Sequence, residues 1–271
     1  MRICLITPRP DHPVLAATTA LLTPRHRIES MDPETEGDGA PGDPAVPGPL
    51  ADVYLLKART PRALALARSF EERGAPVLNS AAATELCQDR TAMAGLARRA
   101  GLPFAATRTV ASLAELADER DLPYPLVVKS RHSRRHDLVT RVDNVAQLRA
   151  LCSRWAREPV VVQEFIANSG WDHKLWAIDG RIFAALRRSE LAEGGRGPTL
   201  PLELGDLPHG WQDLVRTVGS VYALDVYGVD VIDAGDGTPL IVDINAFPGI
   251  RGQRGAPEAL AALALRVARR P

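Results

Sequence analysis

The segment from Gly228 to Asn245 constrains the fold more than any other stretch of the chain. It reads Gly-Val-Asp-Val-Ile-Asp-Ala-Gly-Asp-Gly-Thr-Pro-Leu-Ile-Val-Asp-Ile-Asn, two apolar runs on either side of Asp236-Gly237. Asp-Gly between apolar runs is a favoured two-residue hairpin turn. With those two residues as the loop, Gly235 faces Thr238 and Asp230 falls directly opposite Asp243. Asn245 lies two residues on and shares that face, because strand side chains alternate. Directly opposed side chains sit about 4.5–5.5 Å apart at Cβ, a separation at which like charges repel. Two carboxylates and an amide oxygen on one face are hard oxygen donors suited to Mg²⁺. A slip in register would leave both Asp on an exposed strand instead. Asp233 falls on the other face and reads as structural.

The rest of the chain alternates strands and helices. Arg2–Thr7 reads as a buried strand, 14–22 as a helix, and Asp52–Lys57 as a second strand. Thr60–Arg73 reads as an amphipathic helix closed by Gly74, and Pro76–Asn79 as a third strand. This β-α-β alternation predicts a small parallel-sheet N-terminal domain. Lys57 then stands at the C-terminal end of its strand, where open α/β sheets carry ligands. Residues 31–50, with five Pro and four Gly, read as a surface loop. A helix is expected over roughly 84–100, stopped by Gly101 and Pro103. Leu126–Lys129 reads as a buried strand, Val145–Arg157 as a helix and Val160–Ile166 as a β-branched strand. Lys174–Ile178 and Arg181–Arg187 form a hairpin around Asp179-Gly180, and 189–208 a Gly-rich loop that could serve as a lid. The helix Trp211–Leu224 precedes the metal-type hairpin, and an Ala/Leu helix ends the chain.

Composition narrows the function classes. Lys plus Arg and Asp plus Glu both number 33 in 271 residues, which argues against nucleic-acid binding by bulk charge. No apolar run approaches the ~18 residues of a membrane span, and the N-terminal apolar stretch is too short for a signal peptide. Cys4, Cys87 and Cys152 show no zinc spacing, so a cytoplasmic protein with reduced cysteines is expected. Only three of the 33 basic residues are Lys: Lys57, Lys129 and Lys174. In a chain pushed toward Arg, a retained Lys marks a place where a compact ammonium is needed.

Mg²⁺ on one or two carboxylates, with substrate phosphates completing the shell, is the arrangement of nucleotide-dependent phosphoryl transfer. No Walker A or GxGxxG pattern is present, so a P-loop or Rossmann site is not expected. Several segments instead form an ordered series. Val77-Leu78-Asn79-Ser80 comes first, then Asp89-Arg90, Ala100-Gly101-Leu102-Pro103 and Pro125-Leu126-Val127-Val128-Lys129. Val162-Gln163-Glu164-Phe165-Ile166 follows, then Gly170 with Asp172 and Lys174, then Gly228-Val229-Asp230. Asp243-Ile244-Asn245-Ala246-Phe247-Pro248-Gly249 closes the series. In this order and spacing the chain resembles the ATP-grasp superfamily over about Val77 to Gly252, specifically RimK-type carboxylate–amine ligases and the related inositol polyphosphate kinases.

The resemblance implies an α/β (α+β) ATP-grasp fold. Residues 1–88 would be a small N-terminal parallel-sheet domain, 89–165 the central subdomain, and 166–271 the C-terminal subdomain carrying the metal. It implies ATP and Mg²⁺ as cofactors, with Mn²⁺ an alternative ion. Arg90, Lys129, Asp172 and Lys174 would belong to the nucleotide site, with Gln163, Glu164, Phe165 and Ile166 as the adenine-reading hinge. Arg188 and Lys129 would act in catalysis, and Asp230, Asp243 and Asn245 would hold the metal. Lys57, Arg131, His136 and Arg251 are the candidate substrate residues.

Two departures stand out. Arg90 replaces the family's usual Lys, and the loop Ser130-Arg131-His132-Ser133-Arg134-Arg135-His136-Asp137 has no Gly. Its side chains could therefore contact phosphate or an anionic substrate, unless the loop is only a solvated basic face. The His132/His136 pair lacks a third ligand and is not read as a metal site. The ligase reading has ATP phosphorylate a carboxylate that an amine then attacks. The kinase reading transfers phosphate to a hydroxyl of a polyanion, using the basic loop. A neutral chain of bacterial-type composition favours the ligase, acting on a small molecule or peptide. A non-catalytic nucleotide-binding module would not be expected to keep a full metal triad. Related ligases suggest a homodimer or homotetramer.

Overall fold

The computed structural model describes residues 1–35, 49–192, 195 and 197–269. Its strands form three sheets. The first is built from β1 (Arg2–Ile6), α1 (Pro13–Leu22), β2 (Arg27–Met31), β3 (Val53–Leu56), α2 (Pro61–Glu72) and β4 (Val77–Leu78). Its four strands are parallel, in the order β2-β1-β3-β4. Strand alternation gives each face its own cover. Ile3, Leu5, Val53 and Leu55 bury against α1 and the last helix of the chain. Cys4, Ile6, Tyr54 and Leu56 bury against α2 through Ala67 and Phe70. Thr60 caps α2 by accepting from the Ala63 N–H, and Pro61 opens the helix, where its missing N–H costs nothing. The edge strand β2 was not expected. Its sequence, Arg-Ile-Glu-Ser-Met, has no strict apolar alternation. Of the loop expected at 31–50, residues 36–48 lie outside the described residues.

The helix expected at 84–100 is two helices, α3 (Ala81–Leu86) and α4 (Arg90–Arg99). The break has a local cause. Asp89 takes an extended backbone and its carboxylate accepts from the Thr91 and Ala92 N–H groups, starting a new helix. The second sheet follows: β5 (Thr107–Val110), α5 (Leu113–Asp118), β6 (Leu126–Ser130), β7 (Val139–Val142), α6 (Val145–Trp155) and β8 (Val160–Glu164). It is antiparallel, ordered β5-β8-β6-β7. Leu126, Val128, Val160 and Val162 bury one face against α5 and α6. The other face carries Val127, Lys129 and Gln163.

The third sheet contains β9 (Trp171–Ile178), β10 (Arg181–Arg188), β11 (Thr199–Pro201), α7 (Trp211–Tyr222), β12 (Val226–Asp233) and β13 (Pro239–Ala246). It is antiparallel, ordered β11-β10-β9-β12-β13. Met93, Ala97, Trp211, Val215 and Val218 cover one face over Leu175, Val229 and Ile244. Residues 199–201 of the expected lid loop pair with β10, while 193, 194 and 196 lie outside the described residues. Finally α8 (Ala256–Val267) returns to pack on α1 and the first sheet. Asn79, buried at the end of β4, binds the first sheet to β12. Its side chain donates to the Val226 carbonyl at 2.6 Å and accepts from the Asp225 and Val226 N–H groups at 2.8 and 2.9 Å. No helix among the described residues is long and apolar enough to cross a membrane.

The β12–β13 hairpin reaches its register by a different route from the one expected. The Ala234 N–H donates to the Thr238 carbonyl, and Asp233 pairs with Pro239, so the loop is three residues, Gly235-Asp236-Gly237. All three have positive φ, of 126°, 52° and 76°. Asp233 closes the turn by accepting from the Gly235 and Gly237 N–H groups at 2.8 and 3.1 Å. A three-residue loop alone would put Asp230 opposite Val242. A bulge at Val242, between the pairs Val231–Ile241 and Asp230–Asp243, moves the register back by one. Asp230 and Asp243 therefore do face each other.

Candidate active site

A cleft of about 500 Å³ lies between the second and third sheets. One wall is the open face of β6, β7 and β8, and the other is β9, β12 and β13. The link from Phe165 to Gly170 closes one side, and Arg188 to Ala192 border another.

The third sheet lays three charged residues in one row across adjacent strands. Lys174 on β9 pairs with Asp230 on β12, which pairs with Asp243 on β13. The Lys174 ammonium is buried, 2.8 Å from Asp230 Oδ2 and 3.3 Å from Asp172 Oδ2. Asp172 shares its face because it is two residues back on the same strand. Arg90 reaches the row from the start of α4. Its guanidinium donates to Asp137 at 2.7 Å and to the Ser130 carbonyl at 2.8 Å, and its other terminal nitrogen is 3.6 Å from Asp243. Burial works against the Arg90 charge, but Asp243 and Asp137 outweigh it and hold its pKa above the usual arginine value.

Lys129 enters from the opposite sheet. Its ammonium donates to the carbonyl of Val242, the bulge residue, at 2.8 Å. Burial lowers its pKa to about 8, with Asp243 and Asp230 opposing that effect and Arg90 and Lys174 adding to it. At the end of β8, Gln163 donates to Thr107 Oγ1 at 2.9 Å and the Phe165 N–H donates to the Pro125 carbonyl. Glu164, Phe165 and Ile166 all line the cleft, and the Arg141 guanidinium lies 4.1 Å over the Phe165 ring. Arg188 also lines it, its stem packed against Gly197: a Cβ at Gly197 would come 2.8 Å from Arg188 Cδ.

The cleft thus brings together Arg90, Lys129, Gln163, Glu164, Phe165, Ile166, Asp172, Lys174, Arg188, Asp230 and Asp243. Asn245 is on β13 two residues beyond Asp243, paired with Gly228, and is not part of the cleft lining. The four candidate substrate residues also fall outside that lining. Arg131 is paired with Asp89 at 2.7 Å, and His136, at φ 60°, accepts from Arg135 at 3.1 Å. Arg134 of the same loop is paired with Glu158 at 2.7 Å. Lys57 donates to the Phe247 and Pro248 carbonyls at 2.9 and 3.0 Å, beside Arg251. Sequence reasoning missed Asp137 and Arg141. Asp137 closes a run of basic residues, and its acidity there was the available signal.

As a donor set, Asp230 and Asp243 offer opposed carboxylate oxygens that already hold two of the chain's own cations. That chemistry fits a hard divalent ion such as Mg²⁺.

A model of the RimK-like ATP-grasp domain matches residues 96–261. Over 209 residues, the chain is 28% identical to a probable alpha-L-glutamate ligase 2 of Hahella chejuensis, a match covering 71% of this chain and 66% of that protein. It is 26% identical to a ribosomal protein bS6–L-glutamate ligase of Shigella boydii, covering 68% of this chain and 64% of that one. The chain's matches thus span slightly under two thirds of these two relatives' lengths. Among solved structures, a RimK domain ATP-grasp protein of Sphaerobacter thermophilus superposes with a TM-score of 0.76 at 22% identity, over 98% of this chain and 100% of that one. A D-alanine–D-alanine ligase of Bacillus anthracis superposes with a TM-score of 0.72 at 15% identity, over 99% and 98% of the two chains. The fold is therefore the ATP-grasp fold.

Proposed function

The chain belongs to the RimK-like ATP-grasp family, and from that premise we propose that it is an ATP- and Mg²⁺-dependent ligase. It joins a carboxylate to an amine, on a small molecule or peptide, through an acyl phosphate, releasing ADP and phosphate. The observation that carries this reading is the row Lys174–Asp230–Asp243 facing Lys129 and Arg90 across the cleft between two antiparallel sheets.

Phosphoryl transfer asks a protein mainly for positioning and charge neutralisation. In this reading the hinge backbone at Gln163–Ile166 holds the adenine, and Lys129 and Lys174 neutralise the phosphates. Asp230 and Asp243 hold Mg²⁺, with Asn245 the weaker candidate because of its place outside the lining. When bound, the ion supplies charge neutralisation at the phosphate oxygens. Arg188 stabilises the transferring phosphoryl group, presented by the packing of its stem on Gly197. No side-chain nucleophile is needed, because the substrate carboxylate attacks the γ-phosphorus and the amine attacks the resulting acyl carbon. The names of the glutamate-ligase relatives support an amino acid as one substrate.

The kinase alternative relied on a basic loop around a polyanion. Arg131 and Arg134 of that loop are engaged by Asp89 and Glu158, and the loop residues 131–136 do not line the cleft. The test is product analysis by mass spectrometry, with ATP, Mg²⁺ and pools of amino acids, short peptides and inositol phosphates. ADP with a product at the mass of an amide condensation is expected. A phosphate-mass gain on a polyol, with no amine required, would overturn the reading.

A further inference from the structure

Among the described residues, six carboxylates line the cleft, and two of the chain's own cations hold four of them. Arg90 pairs with Asp137 and Asp243, and Lys174 pairs with Asp172 and Asp230. The other two, Glu164 and Glu190, form no ion pair and no side-chain hydrogen bond among the described residues. Glu164 ends β8, in the stretch that the ligase reading gives to the adenine. Glu190 has no role in that reading.

Glu190 lies two residues past Arg188, on the turn that leaves β10. The turn is anchored rather than loose. The Ser189 N–H donates to the Gly170 carbonyl at 2.9 Å, and the buried Ser189 hydroxyl accepts from the Leu191 N–H at 3.3 Å. The Ala192 N–H closes the turn on the Ser189 carbonyl at 3.3 Å. Ala192 packs on Gly170, where a Cβ would lie 3.6 Å from its own. Gly170 directly precedes β9, the strand of Asp172 and Lys174. The backbone that presents Glu190 is therefore tied to the strand that carries the charged row, as a positioned functional group requires. Glu190 itself is exposed and lines the cleft, so a ligand arriving from solvent can reach it.

The second half of a ligase reaction needs such a group. Amines are mostly protonated at neutral pH and arrive as ammonium ions. Five cations line this cleft, Arg90, Lys129, Arg141, Lys174 and Arg188, and each repels an ammonium. A carboxylate without an internal partner, beside Arg188, offsets that repulsion where the acyl phosphate would form. We propose that Glu190 binds the ammonium of the amine substrate and accepts the proton it must lose before attack. The amine substrate is thus a primary amine that enters as a cation. The neutral nitrogen then attacks the acyl carbon. The C–N bond forms, and phosphate leaves with the C–O electron pair. The remaining excess proton on nitrogen passes to the departing phosphate, and Glu190 returns its own to solvent.

This assignment rests on the ligase reading, so the test separates the two. The whole chain is given ATP, Mg²⁺ and a pool of N-acetylated amino acids and N-acetylated short peptides as acids. The nucleophile is either hydroxylamine, which is uncharged at neutral pH, or a pool of the common L-amino acids, whose amines are cations. Mass spectrometry reads hydroxamates and amides in wild type, Glu190→Gln and Glu190→Asp. Glu190 has no internal partner, so neither substitution removes a contact of the fold. The ratio of amide to hydroxamate should fall about 10²-fold in Glu190→Gln and recover in part in Glu190→Asp. The defect should shrink as the pH rises through the amine's own pKa, because solvent then removes the proton. Saturation-transfer NMR of the amino-acid pool, with a non-hydrolysable ATP analogue, reads amine binding without turnover. Hydroxamate formed with an equal ratio in wild type and Glu190→Gln would keep the ligase and overturn the role of Glu190. Amino-acid binding lost in Glu190→Gln, with no ADP formed from any acid, would keep the amine site and sink the ligase. Amino-acid binding equal in the two proteins would overturn the amine site.

Discussion

Asp243→Asn separates the function of the charged row from its stability. Asp243 is 3.6 Å from Arg90 and its side chain is 19% exposed. At an effective dielectric constant of ~20, that pair is worth roughly 5 kcal/mol of gross Coulomb energy. The net loss on neutralising Asp243 should be far smaller, about 1 kcal/mol, because partly exposed pairs are screened. Arg90 also keeps Asp137 at 2.7 Å and the Ser130 carbonyl at 2.8 Å. For a chain of this size that is a melting shift of about 2 °C. Turnover should suffer much more. An amide at position 243 cannot serve as a carboxylate ligand, and losing that electrostatic stabilisation should cost about 10³-fold, or ~4 kcal/mol of barrier. Coupled ADP release and scanning calorimetry on the same preparation measure both. ADP release within tenfold of wild type would refute the ligand assignment. A melting drop above about 10 °C would show that Asp243 is chiefly structural.

Three further outcomes follow from the geometry. Lys129→Met should weaken ATP binding by about tenfold or more while changing the melting temperature little, because the ammonium it removes is buried at a desolvation cost; unchanged ATP affinity by calorimetry would refute the phosphate role. Gly197→Ala should lower turnover severalfold without loss of ATP affinity, since the added methyl displaces the Arg188 stem; wild-type kinetics would show that Arg188 is not held by this contact. His12, lowered from 6.5 to about 4, is neutral in the fold while the unfolded chain takes up a proton, so stability should fall as pH drops from 6.5 to 4, by up to roughly 3 kcal/mol. His12→Asn should flatten that slope in acid denaturation curves, and a slope equal to wild type would exclude His12 as its source.

The parts of this architecture that were legible in the sequence are those fixed by local chemistry. Thr60-Pro61 begins α2, Asp179-Gly180 turns β9 into β10, and the apolar runs place β1, β3, β6 and β8. What was not legible depends on partners far along the chain. β2, β5 and β7 are short and lie at sheet edges, where half-polar sequences suffice. The break at Asp89 could have been read from its capping potential, yet it competed with a continuous helical pattern. The bulge at Val242 answers to two neighbours at once. Ile241 exchanges bonds with Pro103 and Ala105 on the outer edge, while β12 sets the inner register.

The site residues divide the same way. Asp230 opposite Asp243 was right although the turn was not, because the extra loop residue and the bulge cancel. Without that cancellation Val242 would face Asp230; at the bulge its carbonyl accepts from Lys129 instead. Two carboxylates facing each other in one ladder repel, and an empty fold cannot leave them so. The chain answers with Lys174 in the same row and Arg90 from α4, one cation for each carboxylate. Those are also the side chains the ligase reading assigns to the nucleotide. Their attachment to Asp230 and Asp243 therefore stabilises the protein before substrate arrives, and it orients the same charges toward the cleft. The basic loop at 131–136 carries more positive charge, but Asp89 and Glu158 hold two of its arginines elsewhere. Charge alone pointed to that loop as the polyanion site. In the ligase reading, the distribution of its partners leaves the cleft, rather than this loop, to the anionic substrate.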